Sequence, residues 1–308
     1  MSEGWKEAFN LALDIADSLG MEMTIASSPG WSITGGPWVS EDDAQKKLVW
    51  STLTIEGGRS FKDTLASPPS CSGPYQDELQ YPKDPDRYRY YRDVCVLAVK
   101  LEGPDTVRIA RIKEKAGFVI DPFDYFGFEP GSGSWQESSD VCKAENTIDL
   151  TDSYRDGVLE WNVPEGRWKI FRFGYSLLGR TNGPSVPEAT GLEADKLDAG
   201  AMRRYYSNYL ELYRNAVGGK LGGKGVIKNF LIDSYEAGKG TWTPRMEEEF
   251  ASRRGYALRP WLPVLTGQVV GSVKESEQFL FDWRQTLGEL IVENHYDQVN
   301  DILKPYGM

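Results

Sequence analysis

The sequence predicts an α/β chain: a partial (β/α)8 barrel of the TIM type carrying an antiparallel β-rich insertion. Three observations carry that expectation. Helical periodicity alternates with short apolar runs in the first 47 residues and again after residue 166. Between about Leu48 and Tyr175 the texture changes to strand-like alternation broken by Pro, Gly, Ser and Asp. Finally, the apolar run starting at Ile227 stops abruptly on Asp233, Ser234 and Glu236. A short run of this kind suits a strand buried on both faces, and it puts carboxylates where a barrel strand meets its catalytic rim.

The elements follow in order. Trp5, Phe9, Ala12, Ala16 and Leu19 recur at helical spacing, and Gly20 supplies a left-handed stop. A strand over Met21–Ser27 leads into a Trp-bearing loop with Trp31 and Trp38, which completes a first barrel portion, residues 1–47. The β-rich insertion, residues 48–165, holds runs at Leu48–Ile55, Val94–Leu101 and Gly157–Trp161. A second barrel portion, residues 166–308, opens on Trp168–Phe173. Its first helix presents Ala201, Tyr205, Tyr209, Leu212 and Ala216, and Asp198 or Asp195 suits its cap. Gly218 to Lys224 reads as a flexible surface turn before the Ile227 strand. Thr243 and Pro244 fit N-cap and N1 of the next helix, which ends near Gly255. Ser272 and Glu275 form a capping-box pattern ahead of Phe279, Trp283, Leu287, Leu290 and Val299. The chain opens on a helix with no strand before it and stops where a strand should follow, so it reads as an interior slice of a barrel with two open parallel edges.

Composition excludes several function classes. A net charge of -11 leaves no basic stripe to displace counterions from nucleic acid, and a neutral substrate suits the chain better. No signal peptide and no run of about 18 or more apolar residues is present, so no membrane span is expected. The single histidine, His295, sits in a helical pattern and argues against a Ser-His-Asp triad. Cys71, Cys95 and Cys142 lack metal-ligand spacing, and no phosphate-cradling Gly-rich motif occurs. Carboxylates remain as the chemistry. Glu236 stands too far from Thr243 to cap the next helix and is the strongest catalytic candidate. Glu188 and Glu193 lie in a Pro- and Gly-bearing loop, and with Asp233 they are candidates for the substrate pocket. Trp31 and Trp38 are candidate stacking platforms for a sugar face, with core packing as the competing reading.

Four motifs in one order carry a family resemblance. They are Pro29-Gly-Trp-Ser-Ile-Thr-Gly-Gly-Pro-Trp-Val39, Pro187-Glu-Ala-Thr-Gly-Leu-Glu-Ala-Asp-Lys-Leu197, Ile232-Asp-Ser-Tyr-Glu-Ala-Gly238 and Glu249-Phe-Ala-Ser-Arg-Arg-Gly-Tyr256. Together they resemble glycoside hydrolase family 106, the inverting α-L-rhamnosidases. The resemblance implies a rhamnose-containing carbohydrate substrate, a barrel interrupted by β-rich insertions in a longer protein, and a bound calcium near the sugar hydroxyls. Glu188, Glu193 and Asp233 are the candidate calcium ligands, with none assigned. Inversion needs an acid and a base roughly 6.5 to 9.5 Å apart. Glu236 then takes the part of the acid, and the resemblance puts the base on a later strand beyond Met308. On that reading the chain by itself is inactive, and Glu236 is expected in a cleft near Trp31, Trp38 and the Glu188 loop. Two other readings stand beside it. One is a different barrel glycosidase, including a retaining one with carboxyls about 5 to 5.5 Å apart. The other is a non-catalytic carbohydrate-binding or orphan fragment.

Overall fold

The computed structural model describes residues 1–68, 90–101, 109–118, 146–233 and 235–308. Cys71, Cys142 and Ser234 lie outside them, as do most of the expected turn at residues 67–74 and all of the one expected at 129–134. In chain order the elements are α1 (Glu3–Ser18), β1 (Met23–Ala26), β2 (Lys46–Glu56), β3 (Arg59–Thr64), β4 (Tyr91–Leu101) and α2 (Ile112–Lys115). There follow β5 (Thr147–Asp149), β6 (Tyr154–Arg155), β7 (Val158–Val163), β8 (Arg167–Leu177), α3 (Ala199–Val217), β9 (Ile227–Leu231), α4 (Met246–Arg254), α5 (Val273–Ile291) and α6 (Gln298–Leu303). The chain divides into two compact units, one of residues 1–45, 179–238 and 289–308 and the other of 46–178 and 239–288. It is a mixed α/β chain with antiparallel sheets.

The first unit is built on β1 and β9, which pair in parallel through a crossover that includes α3. Helix α1 buries Leu13 and Ala16 against Ile25, Leu210, Val217, Val226 and Ile227. Its inward stripe is narrower than the spacing predicts, because Trp5, Ala12 and Leu19 are exposed and only Ala16 of that set is fully buried. Gly20, at φ +66°, makes the expected left-handed stop. Helix α3 buries Ala201, Tyr205 and Tyr209 as expected, together with Met202, Tyr206 and Leu210, while Leu212 faces outward. Asp198 caps it, accepting from the Ala201 N–H at 2.9 Å. Strand β9 departs from the expectation of burial on both faces. Ile227 is buried but Asn229 and Leu231 are exposed, because β1 is its only sheet neighbour among the described residues.

The glycine-rich turn ahead of β9 is pinned rather than flexible. The Gly222 N–H donates to Ile227 O at 2.8 Å and the Gly223 N–H to Tyr306 O at 2.7 Å. Gly222 sits at φ +63°, and a Cβ there would lie 2.0 Å from Tyr306 O, so no other residue fits.

The second unit is antiparallel. One sheet runs β2-β8-β4-β5 and another β3-β7-β6. Ile55, Phe61, Val96, Ala98, Leu159, Val163, Trp168 and Ile170 form a shared core. Strand β8, expected to open the second barrel portion, instead pairs antiparallel with β2 and β4 along its length. A division at residue 166 therefore separates strands that share one sheet. In the later helices, Ser272 Oγ accepts from the Glu275 N–H at 3.1 Å, the N-cap half of the expected capping box. Thr243 does not cap α4. That helix starts at Met246, whose N–H bonds Thr243 O at 3.0 Å, and Gly255 ends it in the left-handed region as expected.

Candidate active site

Three segments of the first unit converge: the loop from Ser27 to Trp38, the hairpin-like segment from Gly179 to Leu197, and the chain leaving β9 at Ile232 to Gly238. The second folds back on itself through a bridge between Thr181 and Leu192, with the Glu193 N–H donating to Arg180 O at 2.9 Å. From there it reaches both neighbours. Arg180 Nε donates to the Glu236 carbonyl at 3.1 Å, and Gly183 O accepts from the Trp31 N–H at 2.9 Å. Gly30, at φ +79°, permits the close approach, since a Cβ there would lie 2.3 Å from the Gly183 carbonyl carbon. Backbone contacts thus bring Trp31, Glu193 and Glu236 onto one framework.

The candidate side chains meet different fates. Trp31 is 61% exposed on a loop fixed by its backbone, as a sugar platform requires. Glu236, Asp233 and Glu188 are all exposed, Glu188 on the single turn Pro187–Ala189. The cleft expected around Glu236 is therefore not closed by the described residues. Trp38 is half-buried and packs near Tyr205 and Tyr209, with ring centroids 6.2 and 6.1 Å away. Its competing reading, packing beneath the loop, fits better than that of an exposed platform. With Val39, Asp43, Ala194, Ala201, Arg204, Tyr205 and Asn208 it lines a cavity of about 220 Å³.

Glu193 corrects the sequence reading most. The sequence groups it with the pocket acids, yet it is 0% exposed. Its Oε2 accepts from Lys196 Nζ at 2.8 Å and from Thr34 Oγ1 at 2.6 Å, while Oε1 is buried with no hydrogen-bond partner. A carboxylate removed from water needs such a cation, so it ties the 29–39 loop to the 187–197 segment rather than meeting a sugar.

The calcium implied by the resemblance is not matched by this donor set. Among the described residues no group of three or more His, Cys, Asp or Glu side chains is arranged to hold a metal. Glu193 is engaged on Oε2 by the ammonium 2.8 Å away, and Glu188 and Asp233 by themselves supply too few oxygens for a hard cation that takes six to eight.

His295 is the residue whose environment the sequence concealed. It lies in a π-helical turn, Val292–Asp297, and is fully buried, stacked on Tyr206 with its Nδ1 3.5 Å from the Tyr206 hydroxyl. Burial, reinforced by the Lys196 charge, pushes its pKa down to about 3. Between that value and about 6.5 the unfolded chain holds one more proton than the folded one, so stability rises with pH across the window and is lost as pH falls. We expect stability to fall by about 2 kcal/mol from pH 7 to pH 5 through this residue alone. Urea unfolding of wild type and His295→Gln at both pH values tests it, and an equal pH dependence in the two would refute it.

The profile of glycoside hydrolase family 106, described as alpha-L-rhamnosidase, matches residues 1–308. The chain belongs to that family. A solved rhamnosidase from Novosphingobium sp. PP1Y superposes on the family 106 chain with a TM-score of 0.84 at 31% identity, covering 100% of this chain and 40% of the solved one. A "Putative beta-glucuronidase" of Formosa agariphila is 32% identical over 319 residues, covering 100% of this chain and 25% of that protein. The family 106 chain thus spans well under half the length of both. Among the described residues no helix is long and apolar enough to cross a membrane.

Proposed function

We propose that this chain is part of a longer enzyme that removes terminal α-L-rhamnosyl residues from carbohydrates or glycosides with inversion, and that β1 and β9 are neighbouring strands of its (β/α)8 barrel. The observation that supports this best is the family match over residues 1–308, combined with exposed Asp233 and Glu236 immediately after β9 and an exposed Trp31 on the same framework. In this reading Glu236 protonates the leaving oxygen, Trp31 stacks on the sugar, and Asp233 and Glu188 accept from its hydroxyls. The general base comes from a part of the protein outside this chain.

A second reading, glucuronide cleavage, is raised by the name of the Formosa agariphila relative. The rim chemistry disfavours it. Glu188, Asp233 and Glu236 are exposed acids on a chain of net charge -11, and a uronate would meet like charge where rhamnose, a neutral deoxy sugar, would not. The full-length protein should therefore turn over an aryl α-L-rhamnoside and leave an aryl β-D-glucuronide intact. Preference for the glucuronide would overturn the proposal.

A further inference from the structure

Lys196 is a charged side chain with 1% exposure, yet the general acid assigned above is elsewhere. Its Nζ donates to Glu193 Oε2 at 2.8 Å, to Thr34 Oγ1 at 2.9 Å and to Ala194 O at 3.3 Å. Gln45 adds a fourth acceptor, its amide oxygen 2.8 Å from Nζ, in the orientation that also lets its amide nitrogen donate to Ala237 O at 3.0 Å. The Tyr235 ring centroid lies 5.8 Å from Nζ, within cation–π range. The ammonium therefore contacts both sides of Glu236 in sequence, Tyr235 through its ring and Ala237 through Gln45, while Arg180 holds the Glu236 carbonyl itself. Glu236 lies in the irregular chain after β9, where these contacts fix its backbone.

We infer that Lys196 and Gln45 are positioning residues for Glu236, holding the Tyr235–Ala237 backbone at the angle that presents its carboxyl to the leaving oxygen. This rests on Glu236 as the general acid. A buried lysine serves because one ammonium collects acceptors from three separate segments, and its low exposure denies water the same acceptors. Gln45 serves because an amide accepts from Lys196 and donates to Ala237 at once, which neither a hydrophobic residue nor a carboxylate can do.

The test uses the full-length protein with two aryl rhamnosides, one with a poor leaving group and one with a good one, and with Gln45→Met. That substitution leaves no buried charge unpaired. It should lower kcat on the poor leaving group by roughly 10- to 100-fold with KM little changed, and spare the good one, whose turnover also reports that the enzyme is folded. Gln45→Glu keeps the acceptor for Lys196 but loses the donor to Ala237, so it should reproduce that selectivity. In a Glu236→Gln background, adding Gln45→Met should cost nothing further. Selective loss in Glu236→Gln alongside equal loss on both substrates in the Gln45 variants overturns the positioning role alone. Unselective loss in Glu236→Gln removes Glu236 as the acid, and the inference falls with it.

Discussion

Replacing Glu236 with Gln in the full-length protein is expected to lower kcat by about 10²- to 10⁴-fold on rhamnosides with poor leaving groups, the range that general acid catalysis supplies. Aryl rhamnosides whose phenolate leaves readily should lose far less, because bond breaking there needs little protonation. The amide keeps the size and hydrogen-bonding reach of the carboxyl but has no proton to give. The Glu236 backbone, held by Arg180 Nε at 3.1 Å, should stay in place, so the comparison isolates proton donation from loop geometry. A plot of log kcat against leaving-group pKa should be nearly flat for wild type and steeply negative for the variant. Parallel lines displaced by a constant would mean that Glu236 does something other than protonate, and would return the retaining and non-catalytic readings to the front.

The fold was legible where local pattern and tertiary environment agree. Strands β2, β4, β7 and β8 announced themselves through apolar alternation, and the Asp198 cap and Gly20 stop through residues whose chemistry suits little else. Strand β3 did not, because Arg59-Ser-Phe-Lys-Asp-Thr64 carries one apolar residue and its burial pattern leaves only Phe61 inside. The sheet to which β8 belongs was also hidden. The pattern Trp168-Lys-Ile-Phe-Arg-Phe173 marks a strand, and both a barrel strand and a central antiparallel strand satisfy it; only the pairing with β2 and β4 distinguishes them.

The candidate site was legible in its outer members and opaque in its interior. Asp233, Glu236 and Trp31 are expected in loops that follow a β-strand, and all three are exposed there. Glu193 and Lys196 follow the same spacing as surface residues of a loop, and nothing local says that they are buried. Their signal is long-range: Thr34 is 162 residues from Lys196 in sequence, and the ion pair makes sense only once that loop is folded over it. His295 is similar, since a helical pattern does not show that a π-turn carries its ring inward against Tyr206.

That interior pair should dominate the stability of the first unit. Lys196→Met leaves the Glu193 carboxylate with 0% exposure and only the Thr34 hydroxyl for company, and an uncompensated buried charge typically costs about 3 to 5 kcal/mol. For a chain of this size that corresponds to a fall in Tm on the order of 10 °C. The companion Glu193→Gln/Lys196→Met, which removes both charges, should recover most of the loss, because a neutral amide is far cheaper to bury than a lone carboxylate. Glu193→Gln alone should be as damaging as Lys196→Met, now through an ammonium with neutral acceptors but no counter-charge. Calorimetry on the four proteins decides the point through the coupling energy of the cycle. A double variant whose loss equals the sum of the two single losses would mean that the pair is not coupled, and single variants within about 1 kcal/mol of wild type would mean that water screens the pair in solution.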